Sequence, residues 1–163
     1  RLLKTNLPKI LTAPHDMILR ENIMLASMEA GLAFSNAVLG AVHAMAHSLG
    51  GFLDLPHGEC NSLLLEHVMA YNYSAVPERF TVIAQNMGLD TRGYNQTELK
   101  AVLFKEIRSL RYQLGICKSL GQVNVKQQDI SELSEKALHD ACLLTNPKKP
   151  NKRDIETIYE EAL

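Results

Sequence analysis

Residues 40–58 read GAVHAMAHSLGGFLDLPHG and hold three of the chain's six histidines, His43, His47 and His57, among apolar and small residues. His43 and His47 are four positions apart, so a helix projects both rings from one face about a turn apart. The apolar and small residues around them match a helix packed on most sides. That reading extends the helix over residues 35 to about 49. Gly50, Gly51 and Pro56 all act against its continuation, so a break is expected there, with His57 carried past the turn.

The same periodicity recurs outward from this stretch. Residues 16 to about 33, DMILRENIMLASMEAGLA, place apolar side chains at three- and four-residue spacing, as a buried helix does. RLLKTNLPKIL, residues 1–11, reads as the tail of an amphipathic helix. Because the chain begins at Arg1 without methionine, a piece of a longer polypeptide is expected. ECNSLLLEHVMAYN (59–72) predicts a helix with His57 near its start. VPERFTVIAQNMG (76–88) predicts another, with Pro77 in the first turn and Gly88 as the stop. Residues 96–114 are strongly amphipathic and close at Gly115. Asp129 with Glu132 fits a capping box for a helix through about Leu144, and DIETIYEEAL (154–163) predicts a last short one. No alternating Val/Ile/Thr-rich stretch is long enough for a sheet, so the expected fold class is all-α.

Composition limits the function. The 163 residues suit a single core, and 46% hydrophobic and 21% charged residues with net charge -1 are an ordinary globular balance. No basic stripe indicates nucleic acid, and no apolar run reaches the ~18 residues a membrane helix needs. The three cysteines, Cys60, Cys117 and Cys142, are odd in number and form no CxxC pair, so neither a disulfide framework nor a cysteine zinc site is indicated. A reducing, cytoplasmic compartment is expected, and no signal peptide is read.

Two neutral imidazoles one turn apart can share a divalent metal. Ala44 stands where a metalloprotease of the HExxH type carries its general base, so that chemistry is excluded. The plainer alternative is that each histidine satisfies hydrogen bonds at a helix interface. Three within fifteen residues of apolar helix favour a metal or active site, though a partial one, because a catalytic metal takes three or more protein ligands. Asp54 and Glu59 are candidates for a further ligand, against a reading as solvated turn residues. His15 reads as a helix-start residue and His67 as surface or core. His139 beside Asp140 reads either as an acid–base pair or as a solvated face. Cys60 near a helix start is either a thiol of lowered pKa or an inert packing group.

AFSNAVLGAVHAMAHSLGGFLDLPHGECNSLLLEHVMAYN, residues 33–72, closely resembles the signature region of the iron-containing (group III) alcohol dehydrogenases. DACLLTNPKKPNKRDIETIYEEAL, residues 140–163, resembles that family's C-terminal end. The resemblance implies a helical bundle like the C-terminal domain of these enzymes and of dehydroquinate synthase. Residues 1–163 would form its metal-binding, catalytic part. It implies a divalent metal, Fe2+ or Zn2+, held by an aspartate and three histidines, of which His43 and His57 are the last two. The first two belong upstream of residue 1. His47 is then no ligand but a catalytic residue near nicotinamide and substrate, in binding or proton relay, and Phe34 and Cys142 line the pocket. The implied reaction is hydride transfer between a primary alcohol or aldehyde and NAD(P), bound by an N-terminal nucleotide-binding domain. With half of the implied ligand set, and no GxGxxG motif in these residues, the chain alone should bind metal weakly and not turn over. A homo-oligomer is also implied. Two alternatives stay open: a metal held by the one-turn pair His43 and His47, and a helical interaction or regulatory module with structural histidines and no catalysis.

Overall fold

The computed structural model describes residues 1–163 as eight α-helices joined by turns and three short 3-10 segments, with no β-strand. The helices are α1 (Leu2–Ile10), α2 (Met17–Ala37), α3 (Ala41–Leu53), α4 (His57–Tyr73), α5 (Pro77–Asn86), α6 (Gln96–Gln113), α7 (Ile130–Leu138) and α8 (Lys152–Ala162). No single helix is long and apolar enough to cross a membrane. The chain packs as two compact units, one made of Arg1–Ala37 with Pro77–Gly115 and the other of Val38–Val76 with Ile116–Leu163.

In the first unit α1 packs on α2 and α6, and α5 on α6. Phe80, Ala84, Leu99, Leu103, Phe104 and Ile107 are its buried apolar residues on α5 and α6. Lys4 reaches from α1 to Glu106 at 2.8 Å. The expectation of a buried helix over 16–33 is corrected here. Its apolar residues are spread around all sides of α2, so one helix-wide contact cannot cover them, and only Ala26 is buried. Asp16 caps this helix by accepting from the amides of Ile18 and Leu19, the role that position had suggested for His15.

The second unit holds the larger core. Met45, Leu49, Cys60, Leu64, Val68, Leu120, Leu133, Ile155 and Tyr159 are fully buried between α3, α4, α7 and α8. Two buried hydrogen bonds fix α3 within it. The Tyr159 hydroxyl donates to the Met45 carbonyl at 2.8 Å, and Ser48 Oγ donates to the Leu133 carbonyl at 2.8 Å. The chain end is tied back as well, since the Leu120 amide donates to the Ala162 carbonyl at 2.8 Å.

Helix ends depart from expectation where side chains from distant segments decide them. The helix expected from residue 35 begins only at Ala41, because Val38 adopts φ 61°, a left-handed backbone that ends α2. The helix expected to break at Gly50 runs on through Gly51 to Leu53 and ends at Asp54, φ 53°. Burial of α3 outweighs the roughly 1 kcal/mol that each helical glycine costs. The helix expected to reach Leu144 stops at Leu138, where Asp140 caps a separate 3-10 turn, Ala141–Thr145. The capping box of Asp129 and Glu132 does not form. Asp129 accepts instead from the Lys126 amide, and Glu132 pairs with Lys136 along the helix. Full boxes stand at Asn95 with Glu98 and at Asn151 with Asp154.

The start of α3 is capped from afar. Gly40 offers no side chain, and Asn146 Oδ1 accepts from the Ala41 amide at 3.0 Å. Asn146 also exchanges two amide hydrogen bonds with Asn72, at 3.0 and 2.8 Å, and Thr145 Oγ1 donates to the Leu39 carbonyl. A Cβ on residue 40 would come within 2.9 Å of Asn146 Oδ1, which is why glycine stands there. Replacing Asn146 with Ala removes the cap and leaves Asn72 without its partner. A loss of about 1–2 kcal/mol is expected, read as a lower urea midpoint at unchanged slope. Gly40→Ala should lower the midpoint too. A parental midpoint in both variants would show that the clamp carries no weight.

Candidate metal centre

The site is assembled from α3, the first residue of α4 and the 3-10 turn after α7. His43 and His47 project from α3 as their spacing requires. Pro56 opens α4 and places His57 as that helix's first residue. The turn through Asp54 and Pro56 brings the third ring back to the other two. Ring centroids lie 6.0 Å apart for His43 and His47, 5.3 Å for His43 and His57, and 5.2 Å for His47 and His57.

Each ring has a different environment. His43 is partly buried, and its pKa is lowered first by that burial and then by the neighbouring His57 and His47, against an opposing pull from Asp140. The neutral imidazole, the form able to donate to a metal, is thereby favoured. His47 is more exposed, and its Nδ1–H donates to Asp140 Oδ2 at 2.7 Å. The carboxylate can only accept, so Nδ1 is the donor and the lone pair of the uncharged tautomer falls on Nε2. His57 Nε2 faces Asn61 Nδ2 at 3.0 Å, and the same amide donates to the His57 carbonyl. Asn61 Oδ1 is buried with no partner.

Asp140 joins the turn to the histidines. Its Oδ1 accepts from the Cys142 amide at 2.8 Å while Oδ2 takes the imidazole. Burial would raise this carboxyl, but the Cys142 amide, His47 and the Cys142 thiol together hold it below the usual carboxylate range. The same neighbourhood pushes the Cys142 thiol up to about 11, first through burial, then through its hydrogen bond to Asp140 and that group's charge. A ring nitrogen of His47, a carboxylate oxygen of Asp140 and Cys142 Sγ all lie within 4.8 Å of one another.

The three histidines of the opening stretch therefore come together, and Cys142 joins His47 through Asp140. Phe34 lies on α2 in the first unit, half exposed. Glu59 pairs with Lys118 at 3.6 Å, and Asp54 is an exposed helix terminus. His139 does not pair with Asp140. Its Nδ1 donates to the Glu135 carbonyl at 2.8 Å, because the helix ends there and turns Asp140 toward α3. His67 is partly buried on α4. Cys60 is fully buried with its pKa raised, first by burial and then by Glu59, which settles it as a packing group. Asn61 and Asn146 are polar residues that sequence reading did not place, and Asp140 was read only as the neighbour of His139. The available signal was an aspartate heading a short turn, a capping preference that says nothing of a histidine 93 positions away.

The family described as Fe-containing alcohol dehydrogenase, C-terminal, matches residues 1–163. The chain is 41% identical over 162 residues to 1,3-propanediol dehydrogenase of Citrobacter freundii, covering 99% of this chain and 42% of that protein. It is 38% identical over 142 residues to lactaldehyde reductase of Escherichia coli strain K12, covering 87% of this chain and 37% of that protein. Among solved structures, a 1,3-propanediol oxidoreductase matches at TM-score 0.96 and 39% identity, over 99% of this chain and 42% of the other. An alcohol dehydrogenase from Oenococcus oeni matches at TM-score 0.95 and 39% identity over the same shares. The chain thus spans about two fifths of the length of these relatives. The match over every residue agrees with the resemblance carried by residues 33–72 and 140–163, and the chain belongs to the Fe-containing alcohol dehydrogenase family.

Proposed function

We propose that residues 1–163 are the helical, metal-holding part of an NAD(P)-dependent alcohol dehydrogenase that interconverts primary alcohols and aldehydes. The convergence of His43, His47 and His57, with ring centroids 5.2–6.0 Å apart and a carboxylate on His47, carries the reading. The names of the relatives support it, among them the NAD-dependent methanol dehydrogenase of Bacillus methanolicus, 34% identical over 163 residues. NAD(P) and the remaining metal ligands belong to an N-terminal nucleotide-binding domain beyond this chain, in a homo-oligomer. The three unpaired thiols fit a cytoplasmic enzyme.

The donor set fits a divalent metal, because two facing imidazoles, one of lowered pKa, suit Fe2+ and Zn2+ alike. His43 and His57 would hold it. When bound, such an ion supplies Lewis-acid stabilisation of the charge that develops on the alcohol oxygen, while NAD(P) supplies the hydride acceptor.

The other roles fall to this chain's own side chains. Asp140 fixes the His47 ring through Nδ1–H and leaves Nε2 able to take a proton from the alcohol and return it to the product alkoxide in the reverse direction. The imidazolium so formed is stabilised by the same carboxylate, which stays ionised. Cys142, protonated at neutral pH, offers the substrate an uncharged wall.

Anaerobic calorimetric titration of Fe2+ into the full-length protein tests the assignment. His43→Ala and His57→Ala should each weaken metal binding by at least about tenfold, the low end of what even an outer-shell partner contributes. His47→Ala should leave metal affinity within a few-fold and lower NAD(P)-linked alcohol oxidation by about 10²–10⁴. Tight Fe2+ binding that survives loss of both His43 and His57 would instead make these histidines structural and the chain an interaction module. Dependence on His47 with His57 dispensable would place the ion on the one-turn pair.

A further inference from the structure

We infer that His47, Asp140 and Cys142 form a second metal site, distinct from the His43 and His57 pair, for a thiophilic divalent cation such as Zn2+ or Cd2+. One donor atom from each of the three lies within 4.8 Å of the others. A tetrahedral ion with bonds of about 2.0–2.3 Å spaces its donors by roughly 3–4 Å, so ligation needs side-chain adjustment without movement of the backbone. A nitrogen, an oxygen and a sulfur donor together select a borderline-soft ion over magnesium or calcium.

The donors sit on elements fixed by other contacts, which is what a metal site requires. His47 belongs to α3, held in the core through Met45 and Ser48. Asp140 and Cys142 belong to a turn pinned by the Cys142 amide at one end and by Thr145 and Asn146 at the other. Of the remaining cysteines, Cys60 is sealed in the core and Cys117 is exposed in a loop.

Without metal, the N–H of His47 donates to Asp140, and the Cys142 thiol lies beside the same carboxylate. A cation takes the positions of the Nδ1 proton and the thiol proton. The imidazole keeps its proton by moving it from Nδ1 to Nε2, and the thiol releases one proton to solvent as the sulfur–metal bond forms. Nothing is oxidised or reduced. The His47 and Asp140 side chains are 42% and 20% exposed, so an ion can enter and keep water in its open position. Ligation through Nδ1 leaves the proton on Nε2, so the ring can no longer accept one there. This consequence rests on the role proposed for His47 above: the ion would act as an inhibitor of alcohol oxidation. The site itself does not depend on that role.

Co2+ is the probe, titrated anaerobically into the reduced, metal-free full-length protein, because thiolate ligation gives a near-ultraviolet sulfur-to-cobalt charge-transfer band. The parent should show the band, and the His43→Ala/His57→Ala double variant should keep it even as the other site is lost. Cys142→Ser should abolish it, and Asp140→Asn should weaken Co2+ affinity at this band by at least about tenfold. A parent without the band, a band that survives Cys142→Ser, or one lost with His43 and His57 would each overturn the second site. Should Cys142→Ser fail to fold, Zn2+ protection from alkylation decides in the parent. The ion should shield Cys142 and leave Cys117 reactive, and unshielded Cys142 would refute the proposal.

Discussion

The geometry of the second unit depends on how α3 is held. This helix carries two of the three histidines, and its backbone is anchored by partners far away in sequence. Tyr159 binds the Met45 carbonyl across 114 positions, and Asn146 binds the Ala41 amide across 105. Ser48 adds a bond in the other direction, to Leu133 on α7. Each joins groups that would cost about 1–3 kcal/mol if buried without a partner. They therefore fix the axial position and rotation of α3 more tightly than apolar packing alone, because hydrophobic contact is not directional. The histidine rings inherit that register.

Much of the helical order was legible before any coordinates. The one-turn spacing of His43 and His47 and the stops at Gly88 and Gly115, both at positive φ, hold in the structure. What periodicity could not show were the ends set by tertiary partners. Val38 is β-branched, and nothing local marks it for a left-handed backbone, yet it separates α2 from α3. Gly50 and Gly51 carry the local signal for a break, and the buried helix runs through them regardless. Local propensity is worth about 1 kcal/mol at such positions, less than the burial of a single Leu such as Leu49.

The candidate site divides the same way. Three histidines in one short stretch are visible as a cluster, and the turn at Pro56 explains how the third can return. Asp140 was visible only as the neighbour of His139, because a carboxylate and an imidazole 93 positions apart leave no joint pattern in one sequence. Its capping of the Ala141–Thr145 turn has the same cause as its bond to His47. With α7 ended at Leu138, the aspartate sits at a turn start, where one oxygen takes a backbone amide and the other is free to leave the segment. A capping residue thereby links the C-terminal turn to the histidines by a hydrogen bond.

That link gives rings only 5–6 Å apart different surroundings. His43 feels burial and two neighbouring imidazoles, all of which disfavour its charged form. His47 stands on a carboxylate at 2.7 Å with more solvent around it. Two imidazoles on one helix turn are thus placed differently by what surrounds them: one partly buried beside two other rings, the other bonded to a carboxylate. Identical side chains in identical surroundings would compete for the same proton or the same ion. The asymmetry comes from the turn at residues 140–146, which reaches His47 and leaves His43 against the protein interior. The C-terminal segment is consequently part of the candidate site as well as of its scaffold, and the clamp of Asn146 on α3 is what keeps the two in register.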